Sequence, residues 1–330
     1  MTKTYQVVGI GNAIVDVLCQ TDDHFLDHMG IQKGIMQLVD RPRAETLYAA
    51  MDTRREIAGG SVANTLAGLG GLGLATGFIG RVRDDALGRY YSEEMEEGGT
   101  RFLNPPVAGD ALPTSRSMIF VTPDGERSMN TYLGISSEVG ERDVPQASVV
   151  DSEVLFLEGY LYDRADGKRA FETAAEACRR GGGKAGITLS DPFCVDRHRD
   201  DFRTLVRDRL DFAIGNQAEW QSLYQTEDLE TALTQAAAEC GEIACTRSGD
   251  PILLIRGGER VEVPVTSVTP VDATGAGDQF ATGYLYGYAT GRDAETCGRM
   301  GAVAAAEVIS HIGARPEADL GALFRTSGLI

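Results

Sequence analysis

Asp278 follows the run Asp272-Ala273-Thr274-Gly275-Ala276-Gly277 and is followed, after Gln279, by Phe280, Ala281, Tyr284, Leu285 and Tyr288, apolar residues at helical spacing. The spacing predicts a glycine turn opening a helix. Unpaired N–H groups and the positive end of the helix dipole make such a turn an anion site. Gly275 and Gly277 carry no side chain to keep an oxyanion away. A carboxylate beside an anion repels it, unless the carboxylate takes a proton from whatever attacks that anion. The plain alternative is that Asp278 merely favours the first helical turn.

Other polar clusters could work with it. Gly59-Gly60-Ser61-Val62-Ala63-Asn64 precedes a stripe of Val62, Leu66 and Leu69. Ser61 reads as the N-cap of that helix, the glycine pair as room for a ligand against the backbone, and Asn64 as a group near the helix start. Asn12 and Asp16 stand at the mouth of the first strand, suited to substrate hydroxyls. Asn216-Gln217-Ala218-Glu219 is either a capping box or, beside a phosphate, a holder of hydrated Mg²⁺. Thr246-Arg247-Ser248-Gly249 ends a later strand within reach of a triphosphate. Three patterns mislead. Gly9-Ile10-Gly11 has Ile14 where a dinucleotide fingerprint needs its third glycine, and strand residues follow. Gly181-Gly182-Gly183-Lys184 lacks the rest of a P-loop. His24 and His28 have no third metal ligand nearby.

The elements that must position these residues are strands and helices in alternation. Strands are expected at Tyr5–Ile10, Val17–Cys19, Ile35–Val39, Leu74–Ile79, Val154–Leu157, Ala185–Leu189, Phe212–Ile214, Ile243–Thr246, Ile252–Ile255, Val261–Val265 and Val268–Val271. Ser115–Val121 and Glu126–Tyr132 flank Pro123-Asp124-Gly125 as a hairpin that can fold over a site and bring Arg127 with it. Helices are expected at Arg41–Met51, from Ser61, up to about Glu97, and at Arg164–Arg180, Asn216–Tyr224, Leu229–Cys240 and Ala294–Ile309. Such alternation argues an α/β fold with a mostly parallel sheet and helices on both faces, whose ligands bind beyond the carboxyl ends of the strands.

The totals narrow the partners. The 330 residues include 31 basic and 49 acidic ones, a formal charge of −18 with no basic run to offset it, so nucleic acid and anionic membranes are disfavoured. Six cysteines without a Cys-x-x-Cys pair suit a reducing compartment. The opening residues enter a strand without a signal-peptide pattern, and no apolar run reaches membrane-spanning length; the expectation is a cytoplasmic protein.

With these pieces in order, the sequence resembles the ribokinase-like (PfkB) carbohydrate and nucleoside kinases over nearly its whole length. DATGAGDQF matches the family's C-terminal signature, AGGSVANT its N-terminal Gly-Gly…Asn element, and GNAIVD and NQAE two smaller ones. Within the family it most resembles adenosine kinases: Gly59-Gly60-Ser61-Val62-Ala63-Asn64 replaces the Gly-Gly-Lys-Gly-Ala-Asn of sugar kinases, and Leu189–Phe193 resembles Leu-Ser-x-Pro-Phe. Tyr160-Leu161-Tyr162 departs from the paired phenylalanines those kinases place near the base. The resemblance implies one domain, a three-layer α/β/α sandwich, with a small β-sheet lid at about 17–39 and 112–133. It implies ATP-dependent phosphorylation of a primary hydroxyl of a ribonucleoside, with adenosine first and a sugar as the alternative. Asp278 would be the base, Gly275, Ala276 and Gly277 the anion donors, and Arg127 a lid arginine on the phosphates. Asn12, Asp16, Gly60, Ser61 and Asn64 would bind the ribose, and Met36, Leu38, Met129 and Phe193 would sandwich a purine. Asn216, Thr246, Gly249, Thr274 and Gly277 would meet ATP, Asn216 and Glu219 would hold Mg²⁺ through water, and Asp272 a monovalent cation such as K⁺. The chain is expected to work as a monomer or homodimer on small molecules.

Overall fold

The computed structural model describes residues 3–109 and 111–330. Among these, β1 (Tyr5–Ile10), β5 (Thr76–Ile79), β6 (Thr100–Phe102), β9 (Ser152–Glu158), β10 (Lys184–Thr188), β11 (Phe212–Asn216), β12 (Glu242–Arg247), β13 (Asp250–Arg256) and β14 (Glu259–Val263) form one sheet in the order β14-β13-β12-β11-β10-β9-β1-β5-β6. The strands from β6 to β12 run parallel, and β13 and β14 add an antiparallel hairpin at one edge. A strand buried on both faces needs an unbroken apolar run. Val154-Leu155-Phe156-Leu157 supplies one, with Val154 and Phe156 in the core on one face and Leu155 and Leu157 in the core on the other. Helices cover both faces, giving the α/β/α sandwich. The helix Ser61–Gly71 and the paired helices Ala276–Ala289 and Ala294–Val308 lie on one side; Ala165–Arg180, Arg199–Arg209 and Leu229–Glu239 lie on the other. The chain leaves β1 for β5 and β6 on one flank and returns to β9 on the other, so the strand order reverses at β1/β9. That is where a ligand crevice belongs.

A second sheet has the order β3-β8-β7-β2-β4, made of β2 (Ile14–Gln20), β3 (Met36–Leu38), β4 (Arg55–Gly59), β7 (Ser115–Val121) and β8 (Arg127–Tyr132). One face, with Val15, Val17, Met118 and Phe120, packs on the helices Asp23–Met29 and Arg41–Ala49 through Leu26, Ala44 and Leu47. The other face carries Asp16. The register Leu38–Thr131–Ser117–Asp16–Ile57 puts those five side chains on that same face, and Met36–Met129–Ile119–Leu18–Arg55 forms the next row. Both segments expected to form this sheet contribute to it, together with β4, which lies outside them.

Two expectations about elements fail for local reasons, and two strands appear that none foretold. Val268–Val271 is not a strand: Pro264 closes β14, Pro270 has no N–H for a ladder, and residues 264–275 cross the protein's edge without regular structure. Ser61 is not the N-cap. The cap is Gly60 at φ +105°, and Ser61 is the first helical residue. β4 and β6 were not anticipated, being short and mixed in charge.

Among the described residues no helix is long and apolar enough to cross a membrane, and no cluster of His, Cys, Asp or Glu is placed to hold a metal ion.

Candidate active site

The helix Ala276–Ala289 starts behind Gly275, which is left-handed at φ +79°. A side chain at Gly275 would meet the Ala314 backbone at 2.6 Å, so this glycine serves the turn and its packing rather than ligand room. Gly277 is the open one: a Cβ there would touch nothing within 4 Å. Ala276 N–H reaches the Ala273 carbonyl at 3.3 Å, and the helical ladder begins with Gln279 N–H on Gly275 at 2.8 Å. The N–H groups of Gly277 and Asp278 precede that ladder, free for an anion.

Ser61 Oγ donates to Asp278 Oδ1 at 2.7 Å, and Asn64 Nδ2 donates to Oδ2 at 3.0 Å. The role Ser61 plays is therefore to hold the carboxylate, not to cap its own helix. The two helices are laced behind it. Thr65 and Thr282 both donate to the Asp278 carbonyl, Thr282 also to the Thr65 carbonyl, and Gln279 to the Asn64 carbonyl. Burial pushes Asp278 up to about 6, against the pull of its two donors.

Asp16 lines a cavity of about 330 Å³ together with Arg127, Thr274, Arg315 and Asn64, the last of which donates to Asp278 behind it. The Asp16 carboxylate accepts no hydrogen bond among the described residues. Burial pushes it up to about 7, with Arg127 and Arg315 pulling the other way. Asn12, expected to share the substrate with Asp16, is instead committed elsewhere. Its Nδ2 donates to Glu158 at 2.7 Å and its Oδ1 accepts from Ser136 at 3.0 Å, so both ends of the amide are already tied into the buried network.

The expected purine residues lie apart from this cavity, whose apolar lining includes Leu18, Ile57, Tyr90, Ile312, Ala314 and Pro316. Met36, Leu38 and Phe193 are 51, 59 and 71 % exposed, and Met36, Leu38 and Met129 share the face of the second sheet that carries Asp16. Tyr162 is core, its ring 4.4 Å from Phe202, while Tyr160 stays partly exposed with its hydroxyl on the Ser190 carbonyl at 3.2 Å.

On the opposite side of the carboxyl edge, β11 and β12 bring Asn216 beside Thr246, and Gly249 is exposed in the turn that follows. The Asn216–Glu219 capping box is fully formed. Asn216 Oδ1 accepts from Glu219 N–H, and Glu219 accepts from Asn216 N–H at 2.8 Å and Nδ2 at 2.7 Å. Burial pushes Glu219 up to about 7, and Asp191 adds to the rise. With these atoms satisfied, the pair suits a hydrated ion better than direct ligation.

Asp272 is not open to a monovalent cation here. Its oxygens accept from Thr274 N–H and Gly313 N–H, each at 3.0 Å, and from Arg127 across an ion pair whose side chains are only 8 and 10 % exposed. Burial alone would raise this carboxyl, but Thr274, through its side chain and its N–H, the Gly313 N–H and Arg127 bring it below its usual range. Arg127, expected on a phosphate, is held by Asp272, with its Nε buried and unpartnered.

Sequence reasoning missed Glu158 and Arg315. Glu158 ends β9 in the interior, and Arg315 pairs with Glu94 at 2.9 Å on the cleft wall. A lone acid closing the buried run Val154–Leu157 was the one available signal for the first.

The description "pfkB family carbohydrate kinase" matches residues 32–319. A probable sugar kinase from Rhizobium etli is 43% identical, with a TM-score of 0.90 over 99% of this chain and 100% of its own. The adenosine kinase from Sinorhizobium meliloti is also 43% identical, with a TM-score of 0.89 over 98% of this chain and 99% of its own. An uncharacterized sugar kinase of Archaeoglobus fulgidus is 29% identical over 252 residues, 75% of this chain and 96% of that protein.

Proposed function

We propose that this chain, which belongs to the pfkB family of carbohydrate kinases, transfers the γ-phosphoryl group of ATP to the 5′-hydroxyl of a ribonucleoside, adenosine foremost. The observation that carries this reading is the nearness of two carboxylates across Asn64: Asp16 and Asn64 line the cavity, Asn64 donates to Asp278, and the Asp278 charge is felt at Asp16. Asp278 sits at a helix N-terminus with open N–H groups, and Asp16 waits without a partner. A vicinal diol gives Asp16 two donors, and Asn64 completes the grip. The attacking hydroxyl then lies against Asp278, which takes its proton as the new O–P bond forms and the bond from the γ-phosphorus to the bridging oxygen breaks, releasing ADP. The Gly277 and Asp278 N–H groups receive the charge spreading over the phosphoryl oxygens.

Phosphoryl transfer rests on such positioning and charge neutralisation, and Mg²⁺ bound with ATP would supply part of the latter. Asn216 and Glu219 would hold its water shell, while Thr246, Gly249 and Thr274 lie along the same carboxyl edge. The second sheet would act as the lid of a single kinase domain, its Arg127–Asp272 pair closing it over the cleft and its Met36, Leu38 and Met129 offering an apolar face to a base. The likeness to the S. meliloti adenosine kinase along nearly the whole chain supports adenosine.

A sugar as acceptor is the second reading, favoured by the sugar-kinase relatives and by a cavity whose lining does not include the expected purine residues. Steady-state kinetics separate the two. Burying a purine contributes a few kcal/mol that a free sugar lacks, so adenosine should exceed ribose and fructose in kcat/KM by about 10²-fold or more. A 2′-deoxynucleoside should be poor, because it leaves Asp16 short of a donor. Equal phosphorylation of a free sugar would overturn the nucleoside assignment and leave the kinase standing.

A further inference from the structure

The helix Ser61–Gly71 begins without a side-chain cap, because its cap residue is Gly60. One of its orphan donors, the Val62 N–H, is instead taken at 3.1 Å by Glu158 Oε2, from a residue 96 positions away. The other oxygen, Glu158 Oε1, accepts from the Asn12 backbone N–H at 3.1 Å and from Asn12 Nδ2 at 2.7 Å. The site is built to fit. Gly11 leaves the space that Oε2 needs, and a Cβ on Gly60 would run into the Asn12 carbonyl. Glu158 is 1 % exposed, and its bonds bridge the ends of β1 and β9, where the strand order reverses.

Val62 lies between Ser61 and Asn64, the two residues whose side chains hold Asp278. We propose that Glu158 is a positioning residue for phosphoryl transfer: one buried carboxylate fixes the first turn of the Ser61–Gly71 helix against the ends of β1 and β9, and that turn fixes Asp278. Glu158 makes no hydrogen bond to Asp278 itself, so it acts through Ser61 and Asn64. A carboxylate suits the place because three donors and no acceptor converge on it, and a negative charge favours a helix N-terminus. The assignment rests on Asp278 being the base.

Two variants test it, assayed with Mg·ATP and adenosine and followed by hydrogen exchange. E158D keeps the charge but shortens the arm by one methylene, so it cannot reach Asn12 and Val62 together. E158Q keeps the length but turns an N–H₂ toward one of the donors. In both, kcat should fall by on the order of 10²-fold, the scale of a small misplacement of a reacting group. KM for adenosine and for ATP should stay within about twofold, the pattern of an effect confined to the transition state. The Val62 amide should exchange faster in both variants than in the unmodified protein. E158D carries the test by itself where E158Q fails to accumulate. A raised KM for adenosine with kcat retained would make Glu158 a substrate ligand and overturn the proposal, as would unchanged Val62 exchange. Failure of the unmodified protein to phosphorylate adenosine would instead sink the substrate assignment, and the exchange experiment reads the positioning role regardless.

Discussion

Asp278 holds two donors on its oxygens before any substrate arrives, and the proposed base chemistry has to work with them. Ser61 and Asn64 favour the ionised form while burial disfavours it, and the outcome, about 6, leaves the carboxylate mostly ionised at neutral pH. A base must be ionised to accept a proton. The kcat/KM of the nucleoside reaction, which follows the free enzyme, should therefore fall about tenfold per unit as pH drops below about 6. Asp278→Asn should keep both hydrogen-bond partners within reach and leave ligand binding largely intact. Its kcat should drop by about 10²–10⁴-fold, the range for loss of a general base. Near-normal turnover in that variant would reduce Asp278 to a residue that merely starts a helix. Calorimetric titration of the variant with an ATP analogue checks that binding persists.

At the scale of elements, two glycines that look alike in sequence do opposite work, and substitution separates them. Gly60 sits at φ +105° against the Asn12 carbonyl. Gly60→Ala should lose about 2–4 kcal/mol of stability in denaturant unfolding, from backbone strain and the clash together. Gly277 lies in the first turn of its helix with open space before it. Gly277→Ala should leave stability unchanged or raise it by up to about 1 kcal/mol. Its methyl would stand over the proposed phosphate site, however, so KM for ATP should rise. A matching loss of stability in both variants would remove the distinction. What the sequence could tell follows the same division between local and distant. Continuous apolar runs such as Val154–Leu157 announced the central strands, and the signature around Asp278 announced the helix start. β4 and β6 could not be seen, because their residues are held by neighbours rather than by their own pattern. Ser61 passed for a cap because Ser before an apolar stripe is one, and its true partner lies 217 residues away. Glu158 and Arg315 meet their partners across 96 and 221 positions, where no local spacing records the contact.

At the scale of the whole molecule, burial raises four acids, Asp16 on the second sheet and Glu158, Glu219 and Asp278 in the sandwich, to between about 6 and about 7. A carboxyl raised on folding binds more protons in the native state than in the unfolded one. Its stabilising contribution is then complete below the unfolded value near 4 and is lost as pH rises through the folded value. The ligand-free protein should accordingly melt several degrees higher at pH 5.5 than at pH 7.5, and Asp16→Asn should flatten that slope. A Tm that climbs with pH across this range would contradict it. Glu158 and Asp278 are bonded to residues at which the backbone passes between the two sheets. Among the described residues the backbone crosses through 11–13, through Gly60, between β6 and β7, and through 133–151. Asn12 belongs to the first passage, Ser61 directly follows the second, and Ser136 of the fourth is bonded to Asn12. Laboratory evolution aimed at a new acceptor through these positions would therefore select on the mechanical coupling of the two sheets along with recognition. Libraries confined to Leu18, Ile57 and Ile312 would vary the pocket wall while leaving those passages as they are.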